Sequence, residues 1–276
     1  MTGNSPLLSV EGLTIDLPAQ PGLVQDVSFE VGRGRSLALI GESGCGKTLT
    51  SMAILRLLPP GLTIAGGRIV FDGTDLLTCS PRELRAVRGG PVGVVFQEPM
   101  SSLDPTMTVG DQIAEARLLH LGERRSVALR RAEELLDRVG IPNAAQRVRS
   151  YPHELSGGMQ QRVMIAAAIA CDPKLVIADE PTTALDVTIQ AEILGLLRDL
   201  QRDLDLAVLL VTHDLGVVAD FCDDVVVMYA GHVVERASID ELFYSPGHPY
   251  SSALLASVPQ SGSPRTRLAV IPGRVP

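Results

Sequence analysis

The sequence predicts an α/β fold in which the strands of a buried, parallel sheet alternate with helices. Apolar, β-rich runs recur along the chain, and several are almost entirely aliphatic, which is typical of strands buried on both faces. Helical patterns alternate with these runs, at residues 47–58, 189–203 and 215–221. This alternation favours a layered α/β architecture. The runs predicted as strands are residues 36–40, 68–71, 92–96, 175–178, 207–211 and 225–229.

Two further regions complete the prediction. Residues 7–15 and 27–31 are predicted as strands, and we expect them to be antiparallel. Over residues 97–155 the pattern changes, because 111–121 and 125–139 are amphipathic and helical with few β-branched runs. A Gly-Ile-Pro sequence after the second of these helices predicts its end. The sequence therefore predicts a helical lobe inserted into the α/β core.

Composition and charge exclude several classes of protein. The 276 residues include 24 basic and 32 acidic side chains, and the net charge of −8 disfavours non-specific nucleic-acid binding. No apolar run reaches the roughly 20 residues of a transmembrane helix, and the first residues lack a signal-peptide pattern. The four cysteines show no metal-ligand spacing. We therefore expect a cytosolic protein that reaches a membrane only through a partner.

A glycine-rich loop between a predicted strand and a predicted helix matches the pattern GxxxxGK[ST]. Its glycines allow a tight turn and a close approach to phosphate, and its N–H groups at a helix N-terminus attract an anion. We expect Lys47 to contact the β- and γ-phosphates of a nucleotide and Thr48 to bind Mg²⁺. The loop comprises Gly41, Glu42, Ser43, Gly44, Cys45, Gly46, Lys47 and Thr48.

Two acidic residues, Asp179 and Glu180, follow the aliphatic strand predicted at residues 175–178. A carboxylate at this strand end can face the Mg²⁺ bound by Thr48, so Asp179 is predicted as a metal ligand in the Walker-B role. Glu180 is then placed to polarise the attacking water as a general base. Without a cation, two adjacent acids at a buried strand end would repel each other, which disfavours the alternative of a solvated strand terminus.

The sequence Leu-Ser-Gly-Gly-Met-Gln-Gln-Arg at residues 155–162 resembles the signature of the nucleotide-binding subunits of ATP-binding-cassette (ABC) transporters. The resemblance implies that the signature contacts the γ-phosphate of an ATP molecule bound by the opposite subunit. The implied fold is a P-loop NTPase (RecA-like) core with an antiparallel β subdomain and an inserted α-helical subdomain. The signature residues concerned are Ser156, Gly157, Gly158 and Met159.

The resemblance also implies roles for three residues in other motifs. Gln97 corresponds to the Q-loop residue, which contacts Mg²⁺ or water. Asp186 lies in the D-loop at the seam between the two subunits, and His213 corresponds to the switch histidine that contacts the γ-phosphate. One departure concerns Leu17, or a close neighbour within residues 14–17 near the end of the first strand, where the family often stacks an aromatic side chain on adenine. Because stacking contributes about 1–3 kcal/mol per base, we expect aliphatic packing and a modest affinity for ATP.

Two stretches, residues 98–110 and 245–250, resemble the oligopeptide, dipeptide and nickel importer branch of the family. The resemblance implies an ATPase subunit that powers uptake of di- or oligopeptides, with a nickel or metal-chelate importer as the alternative. ATP and Mg²⁺ are the implied cofactors. The implied partners are a second ATPase subunit, two transmembrane permease subunits and, through them, an extracytoplasmic binding protein, with no nucleic acid. The implied location is peripheral, on the cytoplasmic face of the cell membrane.

The predicted domains are an ATPase core of residues 1–97 and 156–244, a helical subdomain of residues 98–155, and a C-terminal extension of residues 245–276. Two rival functions differ from the importer in specific features. A non-transport ABC ATPase usually carries two cassettes or long coiled coils, and this chain has one cassette and no heptad run. A P-loop kinase would not need the signature sequence or His213.

Overall fold

The computed structural model of the chain describes residues 5–18, 20–183 and 185–257. The chain forms two compact units, one of Met1–Cys79 with Leu209–Pro276 and the other of Ser80–Val208. The strands are β1 (Leu8–Leu17), β2 (Gln20–Val31), β3 (Ser36–Ile40), β4 (Thr63–Phe71), β5 (Thr74–Asp75), β6 (Val92–Val95), β7 (Leu175–Asp179), β8 (Ala207–Val211), β9 (Asp224–Tyr229) and β10 (His232–Ser238). The α-helices are α1 (Lys47–Ile54), α2 (Pro81–Val87), α3 (Pro99–Ser102), α4 (Val109–Leu121), α5 (Arg125–Arg138), α6 (Ala144–Arg147), α7 (Gly157–Ala168), α8 (Val187–Leu204), α9 (Leu215–Phe221), α10 (Ile239–Tyr244) and α11 (Pro249–Ala256), and Pro152–Glu154 form a 3-10 helix.

The first unit contains an antiparallel sheet with the strand order β2-β1-β4-β5. β1 pairs with β2 through Leu8 opposite Val31 and Val10 opposite Phe29, and all four side chains are buried. The prediction of two antiparallel strands near the start of the chain is therefore confirmed. β2 is longer than predicted, because it begins at Gln20 rather than near residue 27.

A second group of strands in the first unit leads into the glycine-rich loop. β9 pairs in parallel with β3 and antiparallel with β10. The N–H of Thr212, directly after β8, donates to the carbonyl of Leu39 in β3 at 3.2 Å. All five residues of β3 are buried, as expected for an aliphatic strand covered on both faces. The loop at residues 41–48 therefore begins at the carboxyl end of the buried strand β3.

In the second unit, β6 and β7 pair in parallel, with Val92 opposite Leu175 and Val95 opposite Ala178. The carboxyl ends of parallel strands meet at the same edge of a sheet, which is where ligands bind in open α/β sheets. Helices α3 to α6 follow β6, as expected for the helical region predicted after residue 97. The finer division into residues 1–97 with 156–244, 98–155 and 245–276 stays a prediction. In the part of the chain that the structure describes, no helix has the length and apolar character needed to cross a membrane.

The side chain of Arg117 in α4 stabilises the second unit from within. Only 8% of this charged residue is exposed. Its guanidinium donates to both carboxylate oxygens of Glu123, at 2.9 and 2.7 Å, and to the carbonyl oxygen of Ala170 just after α7. The hydrogen bonds from Arg117 lower the pKa of the Glu123 carboxyl below its ordinary value. Arg117 therefore connects α4 and its following turn to the end of α7, the helix that carries the signature sequence.

Replacing Arg117 by methionine is expected to lower the free energy of unfolding by about 2 kcal/mol, because the buried guanidinium loses its hydrogen bonds to the Ala170 carbonyl and to Glu123, and hydrogen bonds from a charged group contribute about 1.5–3 kcal/mol. Urea unfolding of the purified variant measures this loss. The matched control is Arg131→Met, which breaks an exposed pair with Glu134 in α5 and should change stability little. Equal stability of the two variants would contradict the structural role of Arg117.

Candidate functional site

The glycine-rich loop connects β3 to α1 and leaves the start of that helix uncapped by a side chain. Gly46 is the N-cap residue of α1, and no side-chain hydrogen bond caps the helix. Ser43 and Gly44 at the tip of the loop are exposed, whereas Cys45 is buried. Uncapped N–H groups at a helix N-terminus attract an anion. The loop therefore has the geometry that the sequence motif predicts.

Lys47 is buried inside the loop, with 5% of its surface exposed. Its ammonium donates to the carbonyl oxygens of Gly41 at 2.8 Å and Glu42 at 2.9 Å, and lies 3.8 Å from the sulfur of Cys45. Burial raises the pKa of the Cys45 thiol, although the nearby Lys47 acts in the opposite direction. The loop thus places a single buried cation next to a neutral thiol.

Two loop glycines adopt backbone conformations that other residues would strain. Gly41 has φ +147°, and a Cβ there would lie 2.1 Å from the carbonyl oxygen of Met228. Gly46 has φ +99°, and a Cβ there would lie 2.8 Å from a methyl group of Val24. Both separations are shorter than real contacts of this kind. The glycines of the motif are therefore required by packing as well as by turn geometry.

The second unit brings Gln97 and Glu180 together. Asp179, the last residue of β7, is 5% exposed, and Glu180 follows it with the left-handed φ of +45°. The side-chain amide of Gln97 donates to Oε2 of Glu180 at 3.1 Å, and the hydroxyl of Thr183 donates to the same oxygen at 2.8 Å. Two hydrogen bonds therefore fix the orientation of the Glu180 carboxylate.

Thr183 was not among the residues singled out from the sequence. It lies in a turn in which its own N–H donates to the carbonyl of Glu180 at 3.2 Å. A hydroxyl residue three positions after a strand-end glutamate is the signal that could have identified it. Its contact makes it a second residue that orients Glu180.

The signature sequence opens helix α7 and is exposed at its start. Ser156 is the N-cap residue, and its hydroxyl accepts a hydrogen bond from the N–H of Met159 at 3.4 Å. Ser156 and Gly157 are exposed, whereas Gly158 is buried, and a Cβ on Gly158 would lie 3.0 Å from a methyl group of Ile189. A 12-residue helix therefore presents its N-terminus, with a hydroxyl and two glycines, at the surface of the second unit.

The remaining predicted residues lie at the ends of other elements. Asp186 is the N-cap residue of α8, without a side-chain cap bond. Its D-loop neighbour Ala184 falls outside the described residues. His213 follows β8 and is exposed, next to Asp214, whose carboxylate caps α9 by accepting from the N–H of Gly216 at 2.8 Å. Leu17 is the last residue of β1 and is half-buried.

The residues predicted from motifs are divided between the two units. The phosphate loop, Leu17 and His213 belong to the first unit. Gln97, Ser156, Asp179, Glu180 and Asp186 belong to the second. Among the described residues, no group of three or more His, Cys, Asp or Glu side chains is arranged to bind a metal ion. The chemistry of the loop is that of anion binding, and the chemistry around Glu180 is that of an oriented carboxylate.

Comparisons with known proteins identify the chains that this sequence resembles. A family model described as "ABC transporter" matches residues 24–183, and one described as "Oligopeptide/dipeptide transporter, C-terminal region" matches residues 234–276. The chain is 51% identical to the oligopeptide transport ATP-binding protein OppD of Bacillus subtilis over 276 residues, covering 98% of this chain and 77% of that protein. It is 47% identical to the dipeptide transport ATP-binding protein DppD of the same organism, covering 98% of this chain and 82% of that protein.

Solved structures show the same fold. The structure of cbiO1 from Clostridium perfringens, described as part of the ABC transporter complex cbiONQ, superposes with a TM-score of 0.74 at 28% identity. That superposition covers 87% of this chain and 91% of the other. A dimeric ATP-binding cassette, MJ0796, bound to ADP and Pi in a post-hydrolysis state, also superposes with a TM-score of 0.74, at 25% identity, over 84% of this chain and 98% of that chain. The predicted P-loop NTPase fold class is confirmed.

Proposed function

The chain belongs to the ABC transporter family, and from this premise we propose that it is the ATP-binding and ATP-hydrolysing subunit of an importer for di- or oligopeptides. The observation that carries the proposal is the identity of 51% and 47% to two peptide transport ATP-binding proteins over nearly the whole chain. Both relatives are named for peptides, which favours peptide uptake over the nickel or metal-chelate alternative. The match of residues 234–276 to the oligopeptide and dipeptide transporter C-terminal region supports the same choice.

ATP binding is assigned to the phosphate loop. The uncapped start of α1 offers N–H groups to the phosphates, and Lys47 adds the positive charge that the β- and γ-phosphates need. The ammonium already lies within the loop on the carbonyls of Gly41 and Glu42. Leu17 is proposed to pack against adenine, as an aliphatic contact rather than a stacked ring.

Hydrolysis is assigned to Glu180, with Gln97 and Thr183 orienting it. A general base must keep a fixed direction toward the water that it polarises. The two hydrogen bonds to Oε2 of Glu180 provide that direction. Bound Mg²⁺ would neutralise charge that develops on the phosphates, and it needs few protein oxygens because phosphates and water complete its ligand set. Thr48, Gln97 and Asp179 are the proposed ligands.

A second ATPase subunit is proposed to complete each site. The start of α7 at Ser156, Gly157, Gly158 and Met159 is suited to an anion, because Ser156 and Gly157 are exposed at a helix N-terminus. We assign this surface to the γ-phosphate of ATP bound to the partner subunit, and we place Asp186 at the seam between the subunits. His213 is proposed separately as the switch histidine that contacts a γ-phosphate. The partner is either a second copy of this chain or a different ATPase subunit.

The membrane connection is assigned to the segment around α3. No residue of α3 is buried, and Met100 is 80% exposed. An exposed methionine next to the Glu180 partner Gln97 suits a helix from a permease subunit, and its docking would couple the membrane proteins to hydrolysis. The chain is thus proposed to lie at the cytoplasmic face of the membrane, bound to two permeases that receive substrate from a binding protein.

Ser156→Asp is expected to leave ATP binding by each monomer intact and to lower the rate of hydrolysis by about 100-fold or more, the size of effect seen when a charge-stabilising donor site is lost. Aspartate is a good N-cap, so α7 should keep its cap bond while the new negative charge repels the partner's γ-phosphate. The measurement is phosphate release as a function of protein concentration, made with the partner ATPase if one is identified.

The matched control is Ser126→Asp, which places the same charge in the first turn of α5, an exposed helix start of the same unit. Its activity should equal that of the wild type. In the wild type the specific activity should rise with protein concentration as dimers form. A specific activity that is independent of concentration, together with an active Ser156→Asp variant, would contradict the composite site.

A further inference from the structure

The residues before and within α11 connect the C-terminal region to the phosphate loop of the same unit. Tyr250 in α11 is 8% exposed. It packs in a core cluster with Ala38 and Ile40 of β3 and Val227 of β9. β3 is the strand that ends where the loop begins. Tyr250 is therefore anchored beneath the start of the phosphate loop.

The hydroxyl of Tyr250 contacts the loop directly, accepting a hydrogen bond from the N–H of Glu42 at 3.2 Å. This N–H belongs to the same peptide group as the carbonyl of Gly41, which accepts from the Lys47 ammonium at 2.8 Å. A planar trans peptide directs its N–H and its carbonyl to opposite sides. Tyr250 and Lys47 therefore bind opposite sides of one peptide group, and rotation of that group would break both contacts.

Tyr250 contacts Tyr229 and His248, and the turn before it is bound to β10. Its ring lies against that of Tyr229, with the ring centroids 4.6 Å apart. Its N–H donates to Nδ1 of His248 at 3.1 Å, which caps α11. The carboxylate of Glu235 in β10 accepts from the N–H groups of Gly247 at 2.6 Å and His248 at 3.1 Å. The turn before α11 is therefore hydrogen-bonded to β10, and the Tyr250 hydroxyl is held next to the N–H of Glu42.

The charge state of this phenol suits a site next to phosphate. Burial raises the pKa of Tyr250 to about 12. The hydroxyl is therefore neutral at physiological pH, and it accepts the Glu42 N–H without placing a negative charge beside the loop.

We propose that Tyr250 is a positioning residue for ATP binding, because its hydroxyl fixes the Gly41–Glu42 peptide group whose carbonyl binds the Lys47 ammonium. The segment of residues 245–250, which in sequence only resembles the oligopeptide, dipeptide and nickel importer branch, thereby sets the shape of the phosphate loop. This inference rests on the proposed function, since it concerns the same ATP site.

Tyr250→Phe in the full chain tests the inference, because it removes the hydroxyl and keeps the ring. Loss of one neutral hydrogen bond corresponds to about a 3- to 10-fold change in an equilibrium constant. We expect the Kd and the KM for Mg·ATP to rise by this factor, with kcat within about 2-fold. A purely structural role would instead reduce the active fraction, which lowers kcat at unchanged KM. The matched control is Tyr244→Phe, at an 86% exposed position at the end of α10, which should bind ATP like the wild type.

A second pair of variants tests the same contact through His248. His248→Ala removes the cap of α11 and should weaken ATP binding in the same direction as Tyr250→Phe. His248→Asn should restore it, because an asparagine oxygen can accept the Tyr250 N–H in place of Nδ1. Hydrogen exchange at the Glu42 amide, measured by NMR without nucleotide, reports the contact even in a destabilised variant. It should be faster in Tyr250→Phe than in the wild type.

Unchanged ATP affinity and unchanged exchange at the Glu42 amide in Tyr250→Phe would overturn the inference while leaving the proposed function intact. Failure of the wild-type chain to bind ATP would overturn the proposed function, and the inference with it.

Discussion

Glu180→Gln is expected to bind ATP as tightly as the wild type and to lose hydrolysis by a factor of about 10²–10⁴, the usual contribution of a general base. Glutamine has the same shape and keeps an oxygen that can accept the hydrogen bonds from Gln97 and Thr183. It lacks the negative charge that draws a proton from water. Equilibrium binding of Mg·ATP and the rate of phosphate release, measured on the same preparation, separate the two effects.

The matched control is Glu134→Gln, at a position in α5 whose carboxylate pairs with Arg131 at the surface. It should hydrolyse ATP at the wild-type rate. Undiminished hydrolysis in Glu180→Gln would remove Glu180 from the role of base, and Gln97 and Thr183 would lose their proposed role with it.

Lys47→Met is expected to weaken ATP binding by about 10- to 100-fold, because hydrogen bonds to a charged group contribute about 1.5–3 kcal/mol. Methionine fills a similar volume but has no cation to offer to the phosphates. The Kd for Mg·ATP measures the loss, and hydrolysis at saturating ATP should also fall. Lys174→Met is the control, since Lys174 is an exposed lysine outside the phosphate loop. Equal ATP affinity in the two variants would contradict the assignment of the loop.

Sequence patterns predicted the buried strands best. The runs predicted at residues 36–40 and 207–211 coincide with β3 and β8, because a strand covered on both faces must be apolar throughout. By contrast, α1 was predicted to reach residue 58 but ends at Ile54. Arg56 takes the left-handed φ of +53°, and a helix cannot continue through that conformation.

The sequence patterns did not predict the strand β10. Its side chains are only partly buried or exposed, and its sequence lacks an aliphatic run. Its place next to β9 depends on a tight turn after Tyr229, with Ala230 at φ +47° and Gly231 at φ +82°. A half-exposed strand is identified from the alternation of apolar and polar residues, and the β10 sequence His-Val-Val-Glu-Arg-Ala-Ser lacks that alternation. The turn glycine was the local signal available.

Motifs identified the residues of the candidate site one by one but not their contacts. Gln97 and Glu180 are 83 positions apart, and the parallel pairing of β6 with β7 is what places both residues at the same sheet edge. Glu42 and Tyr250 are 208 positions apart, and neither motif spacing nor periodicity predicts that they meet. Such contacts depend on tertiary packing, which no local pattern encodes. The roles of Leu17, Asp186 and His213 stay predictions.

The most direct test of the account is phosphate release from Mg·ATP by the purified wild-type chain, compared with a chain that carries both Lys47→Met and Glu180→Gln. The account predicts saturable, Mg²⁺-dependent release by the wild type and none above background by the double variant. Release at the same rate from both chains, or a wild type that neither binds nor hydrolyses ATP, would contradict it.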